Sequence, residues 1–315
     1  MSLVTTFLLA AARRLKRGGV IINEHTLSAA QTRFHVEVLQ RWFDFISLAE
    51  LPARLGRPGE RPFCLLTFDD GKRSNFTAAA PELERLGVPA VFYLTTDAVT
   101  HGSTFWFDRR NQLVRALGYC PPGLKLDRLK RLPLEQVMER LDAACAAYGF
   151  QDGEPSDDLR PMSWDEARRL NRDLFTIGAH GKTHAILPRE TRARAYAEIE
   201  ESLAVVSREM GQPCSTFAFA NGNYTPELLA HARRCGASTT MTTEPMWAGS
   251  RSSLWCLPRI LLHGGLSQAR IEAKIALAGL RGALANPDGS GRRYALPRKA
   301  APPTRKQKLV PQLQI

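Results

Sequence analysis

The stretch that decides the fold is "FCLLTFDDGKRSN", Phe63 to Asn75. Six mostly apolar residues, Phe63 to Phe68, read as a buried strand. The strand stops abruptly at two adjacent aspartates and a glycine, Asp69-Asp70-Gly71. Taken alone, that tripeptide reads as an ordinary turn. Its position at the end of an apolar strand raises a sharper reading, a site that needs two carboxylates with different jobs.

Working outward, strand-like and helix-like runs alternate along the chain. Further strands are expected at 19–23, 90–96, 174–179, 215–220, 237–243 and 257–262. Between them, "TRFHVEVLQRWFDFI" (32–46) has apolar residues at helical spacing. Ser163 followed by Glu166 forms a capping-box signature. A long helical run closes at Gly211, and Thr225-Pro226 opens another helix. About seven βα units predict an α/β fold, a distorted (β/α)7 barrel of the TIM-like kind. The segment 101–160, with "FWFDRRNQLVRALG" and a Pro- and charge-rich passage, is expected as a helical insertion near the barrel mouth.

The chain has 315 residues and 44% apolar content, enough for a substantial core. Its net charge of +12 favours anionic partners, yet much of the excess sits at one end. After Asp288 there is no acid, while seven lysines and arginines follow. Residues 286–315 are therefore expected as a disordered basic tail, with 18–285 as the folded domain. No nucleic-acid recognition motif is present, so no specific nucleic-acid partner is expected. The six cysteines show no C-x-x-C spacing, which argues against a zinc knuckle and for reduced thiols in a cytoplasmic compartment. Residues 1–17 carry their positive charges after a short apolar run, unlike a secretory signal. They are expected as an amphipathic helix, a candidate for peripheral contact with an anionic inner membrane surface.

In an α/β barrel, functional groups collect where strands end. The strand at 174–179 ends on His180, with His184 four residues on. Two imidazoles at that spacing can share a metal ion, although H-x-x-x-H alone decides nothing. Zinc would require a further ligand, commonly a carboxylate, and the aspartate pair supplies one. The second aspartate would then be free to accept a proton from a water beside the metal. Spacing does not say which aspartate takes which role.

"LLTFDDGKRSN" resembles the first motif of the polysaccharide deacetylase family, and "GAHGKTH" is similar to its histidine motif. The segment from Val20 to Leu51 resembles the family's lead-in, and "PAVFYLTT" the strand after the first motif. The resemblance spans roughly residues 18–265. It implies a distorted barrel and a metal-dependent N-deacetylase acting on an N-acylated sugar or glycan. Carried over, it makes Asp69 the general base and Asp70, His180 and His184 the ligands of a divalent metal, zinc by expectation. The third motif departs from the family pattern: this chain has "FAFANG", with Ala220 and Asn221 where proline and tyrosine are common. Asn221 can still offer a backbone N–H to an oxyanion. Arg259 is the candidate for orienting the base, and His263 in "ILLH" for the general acid. Four strand residues, roughly 13 Å, separate those two. Trp106 is a candidate sugar-stacking ring, and His25, at the end of the first strand, a substrate-side candidate. Competing readings are a deformylase or other C–N amide hydrolase of the same fold, and a glycan-binding relative without catalysis.

Overall fold

Parallel strands buried on both faces need apolar side chains in nearly every position, and these strands have them. A computed structural model describes residues 18–55, 61–153 and 155–284. The expected helix at 1–17 and the tail at 286–315 lie outside the described residues. Eight strands form one sheet: β1 (Gly19–Glu24), β2 (Asp44–Phe45), β3 (Phe63–Phe68), β4 (Ala90–Leu94), β5 (Phe175–Ala179), β6 (Thr216–Ala218), β7 (Thr239–Met241) and β8 (Ile260–Leu261). The order is β7-β6-β5-β4-β3-β1-β8, all parallel, with β2 beside the start of β3.

The ring is closed by the segment around β8. Leu257 exchanges backbone hydrogen bonds of 2.9 Å with Thr240 and Thr242 at one edge. Three residues on, Ile260 pairs with Ile22 at the other. Seven strands thus make a distorted (β/α)7 barrel, as the strand–helix alternation predicts. The longer helices around it are α1 (Ala29–Leu39), α2 (Ala80–Leu86), α3 (Trp106–Leu117), α4 (Leu134–Ala147), α5 (Arg192–Met210), α6 (Pro226–Arg234) and α7 (Gln268–Leu284). Both expected caps form: Ser163 makes a capping box with Glu166, and Thr225 accepts from Leu228 N–H. Among the described residues, no helix is long and apolar enough to cross a membrane.

Side-chain alternation separates two cores. One set, including Val20, Ile22, Cys64, Leu66, Phe68 and Phe92, packs outward against the helices. The other, including Ile21, Phe63, Leu65, Val91, Tyr93 and Met241, fills the barrel. The segment between β4 and β5 builds a third cluster from Trp106, Leu113, Leu129, Val137 and Leu141. This is the expected helical insertion, carrying α3 and α4.

The strands expected at 237–243 and 257–262 shorten to Thr239–Met241 and Ile260–Leu261, and two further elements stop early. The helix expected over 32–46 ends at Leu39, because Asp44–Phe45 pairs with Phe63–Cys64 at an edge of β3 that β4 leaves open below Leu66. The strand expected to reach residue 96 ends at Leu94, where Thr95 opens a short helix, Thr96–His101.

Candidate metal and catalytic site

Strand geometry alone would aim two successive side chains at opposite faces. Thr67 and Asp69 share the inward face of β3, and Asp69 N–H continues the ladder to Glu24 C=O at 2.9 Å. Asp70 should then point away. Its backbone instead adopts φ +74°, a left-handed conformation that turns its carboxylate into the same cavity. Gly71 follows at φ +74°, and a Cβ there would meet Leu94 Cδ2 at 2.7 Å, so only glycine fits beside β4.

Among the described residues, three non-glycine residues have positive φ: Asp70, His184 and Asn221. All three line one cavity of about 310 Å³ at the C-terminal ends of the strands. Each such conformation costs about 1–3 kcal/mol. Its concentration at one place makes that place the candidate functional site.

His180 Nδ1–H donates to Ala218 C=O at 2.8 Å, which leaves Nε2 with its lone pair free. Burial drives the His180 pKa down to about 4, against the pull of Asp69, so the ring is neutral. His184 Nε2 lies 3.3 Å from Asp70 Oδ1, and His180 Nε2 lies 3.6 Å from the same oxygen. Asp70 Oδ1 and His184 Nδ1 are buried without a hydrogen-bond partner. Burial would raise the Asp70 carboxyl, but the contact with His184 and the charges of His25, His184 and His180 hold it far below the usual range. The orphaned Asp70 Oδ1, with His184 Nε2 and His180 Nε2 at 3.3 and 3.6 Å from it, completes an N2O set spaced like ligands of tetrahedral zinc and fits a divalent cation.

Asp69 belongs to a different network. Arg259 donates through Nη1 and Nη2 to its two carboxylate oxygens, each at 2.7 Å. Arg259 is completely buried, and its remaining N–H groups reach Thr242 C=O and Thr67 Oγ1. Burial raises the Asp69 carboxyl, and the charges of Arg259 and His180 overcome this, keeping it ionised.

The loop between the histidines is braced from α5. Glu198 accepts from Lys182 N–H and Thr183 N–H at 2.9 Å each and from Thr183 Oγ1–H at 2.5 Å. The rings of Phe105 and Phe107 lean edge-on against His184, with centroids 5.8 and 5.0 Å away. Lys72, buried just after the aspartates, lies over both rings and pairs with Asp108 of α3. The insertion is thus fastened to the first motif.

The other expected residues divide. His25 and Asn221 line the cavity. Trp106 also lines it but is 6% exposed and packs into the insertion's core, so little of the ring is free for a sugar. His263 is exposed and does not border the cavity; β8 ends at Leu261, and the chain turns with Leu266 N–H donating to His263 C=O. Strand alternation places Leu261 in the cavity instead.

Sequence reasoning missed Lys72, Asp108, Phe107, Glu198 and Lys130. Lys130 Nζ, from the insertion, donates to Asn221 Oδ1 at 2.7 Å and lines the cavity; burial lowers its pKa. Lys72 was visible beside the aspartates; nothing local in the sequence marks the others.

A parallel barrel that gathers Asp70, His180 and His184, a cluster able to hold a metal ion, beside a clamped carboxylate at its mouth is an arrangement suited to hydrolysis. The sequence profile of polysaccharide deacetylases matches residues 56–240, and the chain belongs to that family. It is accordingly a hydrolase of amide or ester bonds in acetylated polysaccharide. Comparison with curated proteins gives no match. Solved structures share the fold. The deacetylase PplD of Streptococcus pyogenes is 14% identical over 82% of this chain and 97% of its own, with a TM-score of 0.57. IcaB from Ammonifex degensii is 16% identical over 82% and 97%, with a TM-score of 0.55. The BpsB deacetylase domain from Bordetella bronchiseptica is 17% identical over 78% and 96%, with a TM-score of 0.51.

Proposed function

We propose that this protein is a divalent-metal-dependent hydrolase that removes the N-acetyl group from an amino sugar of a glycan, releasing acetate. The observation that carries this reading is the division of labour between adjacent aspartates. Asp70 shares its orphaned oxygen with His180 and His184, while Asp69 is held apart by Arg259. Membership of the family supports it, and among the proteins that share the fold, the S. pyogenes deacetylase is described in complex with acetate.

Asp70, His180 and His184 would hold the cation, zinc by its N2O donor set. When bound there, such an ion supplies Lewis acidity, polarising a carbonyl and making water more acidic. Asp69 accepts the proton of the attacking water, and Arg259 fixes the orientation of its carboxylate. The water oxygen adds to the acyl carbon. The C–N bond then breaks, a proton passes to the amine nitrogen, and acetate leaves. Asn221 in the cavity wall offers its backbone N–H to the oxyanion. His25 borders the cavity and is the group we assign to deliver the amine's proton. Phe107, Leu126 and Ile186 provide apolar walls that exclude water.

The test is a panel of N-acetylated and N-formylated amino-sugar oligomers, with the released acid identified. Acetate release that stops on chelation supports the proposal. Formate release alone identifies a deformylase, and no release from any substrate points to a binding protein.

A further inference from the structure

A second set of metal-ligating side chains lies on the outside of the barrel, where α5 packs against α6. Glu200, His231 and Cys235 each bring a donor atom to within 4.8 Å of the others. They border a cavity of about 450 Å³ that Leu203, Pro213 and Arg234 also line. None of these residues belongs to the site at the barrel mouth.

The spacing is informative. Cys235 Sγ lies 3.4 Å from His231 Nε2. Bond lengths of about 2.3 Å to sulfur and 2.0–2.1 Å to nitrogen at a tetrahedral angle put those ligands roughly 3.5 Å apart. His231 is held in place for such a role. Its ring stacks on Tyr196 with centroids 3.8 Å apart and planes 5° from parallel. Tyr196 in turn donates to Glu227 Oε1, fixing the stack between the two helices. His231 sits in the final turn of α6 and Cys235 is its C-cap, where the carbonyl ends of the helix favour a positive charge.

The charges also fit. Burial and the neighbouring Arg234 keep His231 neutral, and burial keeps the Cys235 thiol protonated when no cation is present. A divalent cation would displace the thiol proton, and the thiolate with the Glu200 carboxylate would balance its charge. Arg234 Nη2–H donates to His231 Nδ1 at 3.4 Å on the other side of the ring from the thiol; Arg234 is exposed, and cation binding at Nε2 would displace it as the ring proton moves to Nδ1. Arg233 stacks over Trp255 and faces away. Mixed sulfur, nitrogen and oxygen donors favour zinc over magnesium or calcium.

We infer that Glu200, His231 and Cys235 form a second, zinc-class metal site that clips α5 to α6, with its open coordination position facing the outer cavity. The clip would stiffen α5 two residues from Glu198, the carboxylate that braces the His180–His184 loop.

The test uses full-length protein stripped of metal and reloaded with Co²⁺. The barrel-mouth ligands are nitrogen and oxygen, so of the two sites only the outer one, through Cys235, can give a near-ultraviolet thiolate-to-cobalt charge-transfer band. The expected result is that band in the wild type, its loss in Cys235→Ser, and one fewer bound equivalent of Zn²⁺ in that variant. Zn²⁺ should also slow alkylation of Cys235 in the wild type by tenfold or more, a readout that needs no variant. No thiolate band with unchanged alkylation overturns the site. So does a band that persists in Cys235→Ser, which would assign it to another cysteine. Loss of the Asp70-dependent equivalent alone leaves this site's band in place, so the two sites are tested separately.

Discussion

Arg259 and Asp69 are separated by 190 positions in the chain yet meet in a bidentate ion pair, with both contacts at 2.7 Å. The arginine crosses the barrel interior from the closing segment to the end of β3. A buried pair of this kind does more to fix geometry than to add stability. Its consequence is directional: it holds the Asp69 carboxylate in one orientation beside Asp70, His180 and His184. Removing the cation strands a buried carboxylate. Arg259→Met should therefore destabilise the protein by about 3–5 kcal/mol in denaturant unfolding. The double variant Arg259→Met/Asp69→Asn should lose clearly less than the sum of the two singles. Additive losses would show that the pair is not coupled.

Proton delivery to the leaving amine separates two histidines. His25 borders the cavity, whereas His263 stands exposed beyond β8. His25→Asn should lower kcat about 100-fold, within the usual range for a general acid. His263→Asn should leave kcat within about threefold, the scale of a surface change. The reverse pattern would restore the role that the family resemblance implies for His263 and would require the loop after β8 to fold over the cavity.

Lys130 places a positive charge in the substrate cavity, where its observed partner is the neutral amide of Asn221. A sugar bearing a phosphate or carboxylate would gain a charge-assisted hydrogen bond there. Lys130→Met should raise KM about tenfold or more for such a substrate. A neutral analogue should be affected far less. Equal effects on both would reduce Lys130 to a strut between the insertion and the third-motif loop.

An acid-sensitive clamp holds α1 to α2. Glu82 accepts from Arg33 Nε at 2.7 Å and from Arg85 Nη2 at 2.6 Å. The Arg33 and then the Arg85 hydrogen bonds lower its pKa from 4.5 to about 2. A depressed folded pKa stabilises above the unfolded value and loses that stabilisation as pH falls toward the folded value. Glu82→Gln should thus lower Tm at neutral pH, and the gap to wild type should narrow as pH drops from about 4.5 toward 2. A gap that stays constant over that window would exclude the clamp.

The sequence reading reached the barrel because β1, β3, β4 and β5 are continuous apolar runs that end on polar residues. It reached Asp69, Asp70 and His180 for the same reason, since they follow directly on strand ends, and His184 through its four-residue spacing from His180. It overran where local pattern competes with pairing, as in Asp44–Phe45, which looks helical until an open edge of β3 is seen. It could not anticipate that Asp70 turns inward, because a left-handed backbone at an aspartate leaves no mark on residue type. Nor could it join Lys130 to Asn221, or His231 and Cys235 to Glu200, since helix packing brings those pairs together. Alternation extended past the end of β8 is what placed His263 on the same face as Arg259; the chain turns before that face continues.

The central claim is that adjacent aspartates divide the work, Asp70 holding the metal and Asp69 taking the proton. It is tested most directly by measuring bound metal and acetate release together in Asp69→Asn and Asp70→Asn. The account predicts that Asp69→Asn keeps its full metal content and loses acetate release, while Asp70→Asn loses one equivalent of metal and acetate release with it. Undiminished acetate release from metal-loaded Asp69→Asn, or metal lost from Asp69→Asn and kept by Asp70→Asn, would contradict it.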